Sequence, residues 1–187
     1  SIDSMKVYKK MDIGTAKPDL KLLKQVPHHL INVRNPDEEW TLHHFIKEAR
    51  ALIRENSPLR IIVGGTGLYI QALIHDYQMP EIKPDKGIRK MLKKKAKEKG
   101  LEEMYESLRQ LDPRAAEKIS PGDEYRIIRA LEVVEQTGQT MSSLQGKNPD
   151  EAERFQLICL NRPREEIYRR IEQRVDDMIE QGIVDEV

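Results

Sequence analysis

Arg60-Ile-Ile-Val-Gly-Gly-Thr-Gly-Leu-Tyr69 decides the fold class. An unbroken apolar run, Ile61 to Val63, gives way to two glycines and then to apolar residues at helical spacing, Leu68, Ala72 and Leu73. That order predicts a strand, a tight turn and a helix. On its N-terminal side, Phe45, Ala49, Leu52 and Ile53 recur at helical spacing, which predicts a helix from Thr41 ended by Asn56-Ser-Pro58. Before that helix, Pro27 to Val33 reads as a short strand closed by the Asn35-Pro36 turn, Leu20 to Lys24 as one helical turn, and Ser1 to Asp3 as the end of a strand. On the C-terminal side, Phe155 to Leu160 returns to strand character, with Cys159 expected to be buried in it. From Arg164 onward an apolar stripe of Ile167, Ile171, Val175, Met178 and Ile179 predicts a helix interrupted at Gly182. Apolar runs alternating with amphipathic helices are the mark of a parallel α/β sheet whose strands are buried on both faces.

Between these two parts the pattern changes. Pro80 and Pro84 mark a boundary, and no strand signal follows until Phe155. Ile88, Met91, Leu92 and Ala96 carry one helix up to Gly100; Leu101, Met104, Leu108 and Leu111 carry the next. Asp112-Pro113 is an N-cap followed by a proline at the first helical position, and a longer helix runs from Asp123 to Gly138, lined by Ile127, Ile128, Leu131 and Val134. The expected organisation is an α/β core over 1–76 and 155–187, with an all-helical insertion over 77–154 that ends in the linker Gln145 to Asp150.

A chain of 187 residues has room for one sizeable core or a core plus a small second unit. Lys and Arg total 32, as do Asp and Glu, so no net field draws the whole molecule to nucleic acid or membrane and any basic surface is local. One cysteine excludes an internal disulfide, no apolar run is long enough to span a bilayer, and no basic-then-apolar leader is present, so a cytoplasmic location is expected. The start at Ser1 on a strand-like segment and the stop at Val187 within a helical pattern make a fragment of a longer protein the expectation.

Ligands of doubly wound sheets sit beyond the carboxyl ends of the strands, where Asp3-Ser4 and Gly64-Gly65-Thr66 fall. A Gly-Gly-Thr turn opening a helix offers backbone N–H groups and a hydroxyl to an anion. The same glycines also serve a helix folding back on its strand, with Thr66 as N-cap, and an Asp after a strand is often a turn former. His28-His29 lie adjacent, so on a strand they point to opposite faces and cannot share one ion; no metal-ligand set is expected among these residues, His43-His44 included. Arg89, Lys90, Lys93, Lys94, Lys95, Lys97 and Lys99 crowd one helix, as a solvated face or as a contact to a phosphate backbone. Arg126 and Arg129, three apart, share a helix face.

Asp3-Ser-Met-Lys-Val-Tyr8, Met11-Asp-Ile-Gly-Thr-Ala-Lys-Pro18, Val26-Pro-His-His-Leu30, Ile62-Val-Gly-Gly-Thr-Gly-Leu-Tyr69 and Arg126-Ile-Ile-Arg-Ala-Leu-Glu-Val133 resemble, in order and spacing, the tRNA dimethylallyltransferases over nearly the whole chain. The resemblance implies a P-loop-NTPase-like α/β core with a helical insertion gripping the anticodon stem-loop of a tRNA. It implies transfer of a dimethylallyl group from dimethylallyl diphosphate to N6 of the adenosine next to the anticodon, in tRNAs reading codons that begin with U. Asp3 matches the family's general base; Ser4, Met5, Lys6, Thr66, Arg89 and the segment Tyr125, Arg126, Ile127, Ile128, Arg129 match tRNA-contacting positions. Mg²⁺ is the implied cofactor, Thr15 and Lys17 are candidates for the diphosphate, and a monomer is expected.

The sequence departs from the family pattern in several places. The family's Gly-rich phosphate loop lies upstream of Asp-Ser and no such loop stands in these residues, so the chain by itself is expected to be impaired in transfer; further basic helices of the family would follow Val187. Lys6 replaces the usual Gln, and Lys10 a usual Gly. Two rival readings are a small P-loop kinase using Asp3 to activate a hydroxyl, told apart by ATP hydrolysis that a small metabolite stimulates, and a non-catalytic tRNA-binding module, told apart by tight, salt-sensitive binding without diphosphate consumption.

Overall fold

The structure is a computed structural model, and it describes residues 1–54, 61–77, 82–144, 146 and 155–187. Among these the chain forms α1 (Leu20–Gln25), α2 (Leu42–Arg54), α3 (Gly67–Ile74), α4 (Lys86–Lys99), α5 (Leu101–Leu111), α6 (Pro113–Ala116), α7 (Glu124–Thr137), α8 (Met141–Leu144), α9 (Arg164–Glu180) and α10 (Ile183–Glu186). It divides into two compact units, Ser1–Asp76 with Pro149–Val187, and Tyr77–Asn148.

In the first unit α2 packs on α3, and Phe45 stacks on Tyr69 with ring centroids 4.2 Å apart. Ile2, Val7, Leu30, Ile46, Ala49, Ala72 and Leu73 complete its buried apolar set. Thr41 opens α2 through a reciprocal cap. Its hydroxyl accepts the His44 N–H at 3.4 Å while its own N–H donates to His44 Nδ1 at 3.2 Å, so a histidine fills the place that Glu holds in a capping box.

The N-terminal segment lies against residues 63–66: the Ile2 N–H donates to the Val63 carbonyl at 2.8 Å, and the Thr66 N–H to the Ile2 carbonyl at 3.3 Å. Gly64, at φ +153°, makes this approach feasible, because a Cβ there would overlap the Ile2 carbonyl.

The parallel sheet expected from the sequence is not found among the described residues. Tyr8 and Arg34 form an isolated parallel bridge. The expected strand at 27–33 is broken because Leu30 and Asn32 adopt φ of 59° and 57°, incompatible with an extended ladder. Residues 61–63 and 155–160 are not in strands, and the expectation of burial on both faces is corrected: Ile61 is 81% and Leu160 92% exposed. Cys159 is exposed rather than buried. The expected linker falls largely outside the described residues, as does the expected helix stop at 56–58.

The second unit is helical, and local chemistry explains its boundaries. Asp85, Asp112 and Asp123 cap α4, α6 and α7 by accepting the N–H of Ile88, Ala115 and Arg126 at 2.8, 3.1 and 3.0 Å, with Pro113 opening α6. Gly138 closes α7 in the left-handed conformation at φ 68°. Leu92 of α4, Met104 and Leu108 of α5, Ala116 of α6 and Ile127, Ile128, Ala130 and Leu131 of α7 form one buried cluster. Buried Asp112 also accepts the Ser142 N–H at 2.9 Å, which ties α8 to the same core. Leu108→Ala is expected to cost about 2–5 kcal/mol, read as a lowered urea midpoint for this unit, whereas Leu111→Ala at an exposed position stays within about 0.5 kcal/mol.

Candidate catalytic and nucleic-acid-binding residues

The carboxylate of Asp3 sits at the head of a turn built on itself. Its Oδ1 accepts the N–H of Met5 at 2.8 Å and of Lys6 at 3.2 Å, an Asx-type arrangement that fixes the carboxylate relative to the backbone of 4–6. The Ser4 N–H donates to Thr66 Oγ1 at 3.2 Å. Two segments far apart in sequence thus meet, and Asp3, Ser4, Met5 and Lys6 stand together with Thr66. Thr66 occupies the N-cap position of α3 but makes no side-chain cap bond there; its hydroxyl serves Ser4 instead. Tyr69 is buried, and burial pushes its phenol above the ordinary value, with Tyr8 and Asp3 adding to the shift and the Trp40 side chain opposing it. An apolar cavity of about 440 Å³ opens beside the turn, lined by Phe45, Ala49, Leu52, Val63 and Leu73 with Lys6 at its edge.

The neighbouring loop, 11–17, is braced by the side chains of Lys17 and Thr15. Lys17 Nζ, its side chain only 3% exposed, donates to the Tyr8 carbonyl, to Asp12 Oδ1 at 2.7 Å and to Asn32 Oδ1 at 2.7 Å. Thr15 Oγ1 donates to the Met11 carbonyl at 2.5 Å. In this arrangement Lys17 has no proton left for a diphosphate. Sequence reasoning missed Glu186, which closes the loop from outside. Its carboxylate accepts the N–H groups of Asp12, Ile13 and Gly14 at 2.6, 2.8 and 2.9 Å, three successive donors forming an anion nest. Desolvation works upward on this carboxyl, but the three N–H bonds, with the Lys17 charge, outweigh it and hold Glu186 below its ordinary value. The only sequence signal was an acidic residue near the apolar end of a helical pattern, which carries no information about a loop so distant along the chain.

In the helical unit Arg89 of α4 and the segment 125–129 of α7 come together. Arg89, Lys93, Glu124, Tyr125 and Ile128 line a cavity of about 300 Å³. Tyr125 is 73% exposed, whereas Ile127 is wholly buried and belongs to the core. Arg126 pairs with Asp123 at 3.3 Å on the surface. A second residue the sequence reading passed over, Glu132, is fully buried and accepts from Arg129 Nη1 at 2.7 Å, while Arg89 Nε lies 3.1 Å from the same carboxylate. Its signal was legible: it lies four residues after Ile128 and three after Arg129, on the core-facing side of α7. Along α4, Lys94 and Lys99 pair with Glu98 and Glu103 at 3.6 and 2.8 Å, so part of the basic run is neutralised at the surface.

Among the described residues no group of three or more His, Cys, Asp or Glu could hold a metal ion, and no helix is long and apolar enough to cross a membrane.

A family model described as IPP transferase matches residues 6–187. The chain belongs to that family. A tRNA dimethylallyltransferase of Natranaerobius thermophilus is 44% identical over 190 aligned positions, which take in 100% of this chain and 57% of the relative; one of Dictyoglomus turgidum is 44% identical, with 100% and 58% covered. Among solved structures, the full-length tRNA isopentenylpyrophosphate transferase of Bacillus halodurans matches at TM-score 0.57 and 38% identity, covering 98% of this chain and 58% of that one. A eukaryotic dimethylallyltransferase acting on tRNA matches at TM-score 0.70 and 30% identity, covering 99% and 47%. This IPP transferase chain therefore spans somewhat more than half the length of the curated relatives it matches.

The Glu186 nest yields a pH dependence. Because its folded carboxyl titrates below the ordinary 4.5, the stabilisation is fully present above pH 4.5 and is lost as pH falls through the folded value. Thermal melts of the wild type and of Glu186→Gln are expected to differ most above pH 5 and to converge toward pH 3.

Proposed function

We propose that the whole protein transfers a dimethylallyl group from dimethylallyl diphosphate to N6 of the adenosine next to the anticodon, in tRNAs reading codons that begin with U. The observation that carries this reading is the joining of the Asp3 turn to Thr66 by the Ser4 hydrogen bond, in a chain whose relatives bear the name tRNA dimethylallyltransferase. The Asp3 carboxylate is held through Oδ1 by the Met5 and Lys6 N–H groups, and in this reading its Oδ2 takes the substrate proton.

The chemistry follows from the acceptor. The N6 lone pair of adenine is delocalised into the ring and is a poor nucleophile. As N6 bonds to C1 of the dimethylallyl group, the C1–O bond breaks, the diphosphate departs with its electron pair, and the N6 proton passes to the Asp3 carboxylate. The adenine must leave its stack to reach that carboxylate, so the RNA has to be held by its backbone during the reaction. We assign that hold to the helical unit, through Arg89, Arg126, Arg129 and the exposed ring of Tyr125, and we place Ser4, Met5, Lys6 and Thr66 around the flipped base. Ile127 contributes from the core and Ile128 from the cavity wall. Thr15 and Lys17 shape the 11–17 loop in this reading. The finer architecture, a P-loop-like parallel sheet, belongs to the same proposal, as do a monomeric, cytoplasmic protein and Mg²⁺ as companion of the diphosphate; no step above depends on the ion.

The test is transfer of label from dimethylallyl diphosphate to an anticodon stem-loop RNA by the whole protein. Asp3→Ala is expected to lower kcat by on the order of 10²- to 10⁴-fold while RNA affinity changes little. A large loss of affinity with the rate preserved at saturating RNA would make Asp3 a binding residue instead.

A further inference from the structure

We propose that Glu132 is a positioning residue for RNA binding: its buried carboxylate ties Arg89 of α4 and Arg129 of α7 into a single phosphate-binding clamp at the mouth of the cavity beside Tyr125. This deepens the reading of the helical unit as an RNA-binding surface and rests on it. Glu132 is 0% exposed, on the face of α7 that buries Ile128 and Leu131. An apolar side chain of similar size would satisfy that core at no desolvation cost, so a buried carboxylate there calls for a reason beyond stability.

Its partners supply the reason. Glu132 accepts the Asp85 N–H at 2.7 Å, and Asp85 is the residue whose side chain caps α4, so one carboxylate joins the start of α4 to the middle of α7. The same group receives Arg129 Nη1 at 2.7 Å, and Arg129 Nη2 continues to the Ile82 carbonyl at 2.7 Å. Arg129 is thereby held at both terminal nitrogens. Arg89 meets the carboxylate through Nε at 3.1 Å, and an arginine held by Nε keeps its two terminal nitrogens for another acceptor.

The charge count points the same way. Two guanidiniums share one carboxylate, leaving a net single positive charge on a preorganised group whose arginine side chains remain 28% and 25% exposed. Arg89 lines the cavity with Lys93, Tyr125 and Ile128, and with one acidic residue, Glu124. A planar guanidinium whose orientation is already set loses little freedom on meeting a phosphate, unlike the solvated lysines farther along α4. The occupant that fits is a backbone phosphate, with the exposed phenol ring of Tyr125 available to an adjacent base.

The experiment measures affinity of the whole protein for an anticodon stem-loop RNA across a salt series, for wild type, Glu132→Gln, Arg89→Ala and the double variant, with circular dichroism to establish folding. Glu132→Gln keeps the shape and an acceptor for Asp85 but removes the charge that orients the arginines. It is expected to weaken RNA binding roughly tenfold and to raise KM with kcat unchanged at saturating RNA. In the Arg89→Ala background the same change is expected to have a smaller effect, because only Arg129 is left for Glu132 to position. Equal losses in the two backgrounds, or wild-type affinity for Glu132→Gln while Arg89→Ala binds weakly, overturns the role given to Glu132 and leaves the RNA-binding reading standing. Wild-type affinity for Arg89→Ala removes the RNA-binding reading of this surface and the proposal with it. If Glu132→Gln does not fold, Arg89→Lys decides: it keeps the charge and loses the Nε tether, so weakened binding supports the clamp and unchanged binding overturns it.

Discussion

The close approach of Ile2 to the backbone at Gly64 is the constraint on which the rest of the first unit depends. Ile2 both donates to Val63 and accepts from Thr66, and the space it occupies is the space a Cβ at position 64 would need. Once Ile2 is seated, Asp3 and Ser4 follow at once in the chain, and the Ser4 N–H falls on the Thr66 hydroxyl. The glycine is thus a matter of contact distance more than of loop flexibility. It lets a carboxylate-bearing turn stand at the start of α3, and Phe45 stacked on Tyr69 supports that helix from beneath.

The two units solve their polar problems differently. In the first, irregular backbone is satisfied by side chains brought from elsewhere: Lys17 serves the Tyr8 carbonyl, and Glu186 serves three consecutive N–H groups of the 12–14 segment. In the second, regular helices satisfy their own backbones and local aspartates cap them. The charges taken inside, Asp112 and Glu132, bind across elements, from α6 to α8 and between α4 and α7. Each buried carboxylate is fully engaged, as low-dielectric surroundings require. Membership of the IPP transferase family joins these two pieces of physics to one proposed task, in which the first unit handles the base and the second the backbone.

Much of the helical unit could be read directly along the chain. Asp85, Asp112-Pro113, Asp123 and Gly138 announce their helix ends because a cap is a contact between residues three or four apart, and the apolar positions Leu92, Met104, Leu108, Ile127 and Leu131 announce the core through their spacing. The expected strands were not legible in the same way. An apolar run such as Ile61 to Val63 records a preference for burial, but pairing needs a partner that local pattern does not name, and at 27–33 the positive φ of Leu30 and Asn32 overrides the β-branched and apolar composition. Cys159, assigned to a buried strand by its neighbours, lies exposed for the same reason.

By itself the sequence determined the identities at Asp3, Thr66, Arg89 and Arg129, the caps of the helical unit, and the family to which these motifs belong. Only the tertiary structure decided that Thr66 serves Ser4 and not its own helix, that Lys17 is spent on Tyr8, Asp12 and Asn32, and that Glu132 and Glu186 hold parts of the chain their immediate surroundings do not mention. The difference is physical. Helix caps and apolar periodicity are short-range interactions written in neighbouring residues, whereas a hydrogen bond between Ser4 and Thr66 or between Glu186 and Gly14 exists only once distant segments have been packed together.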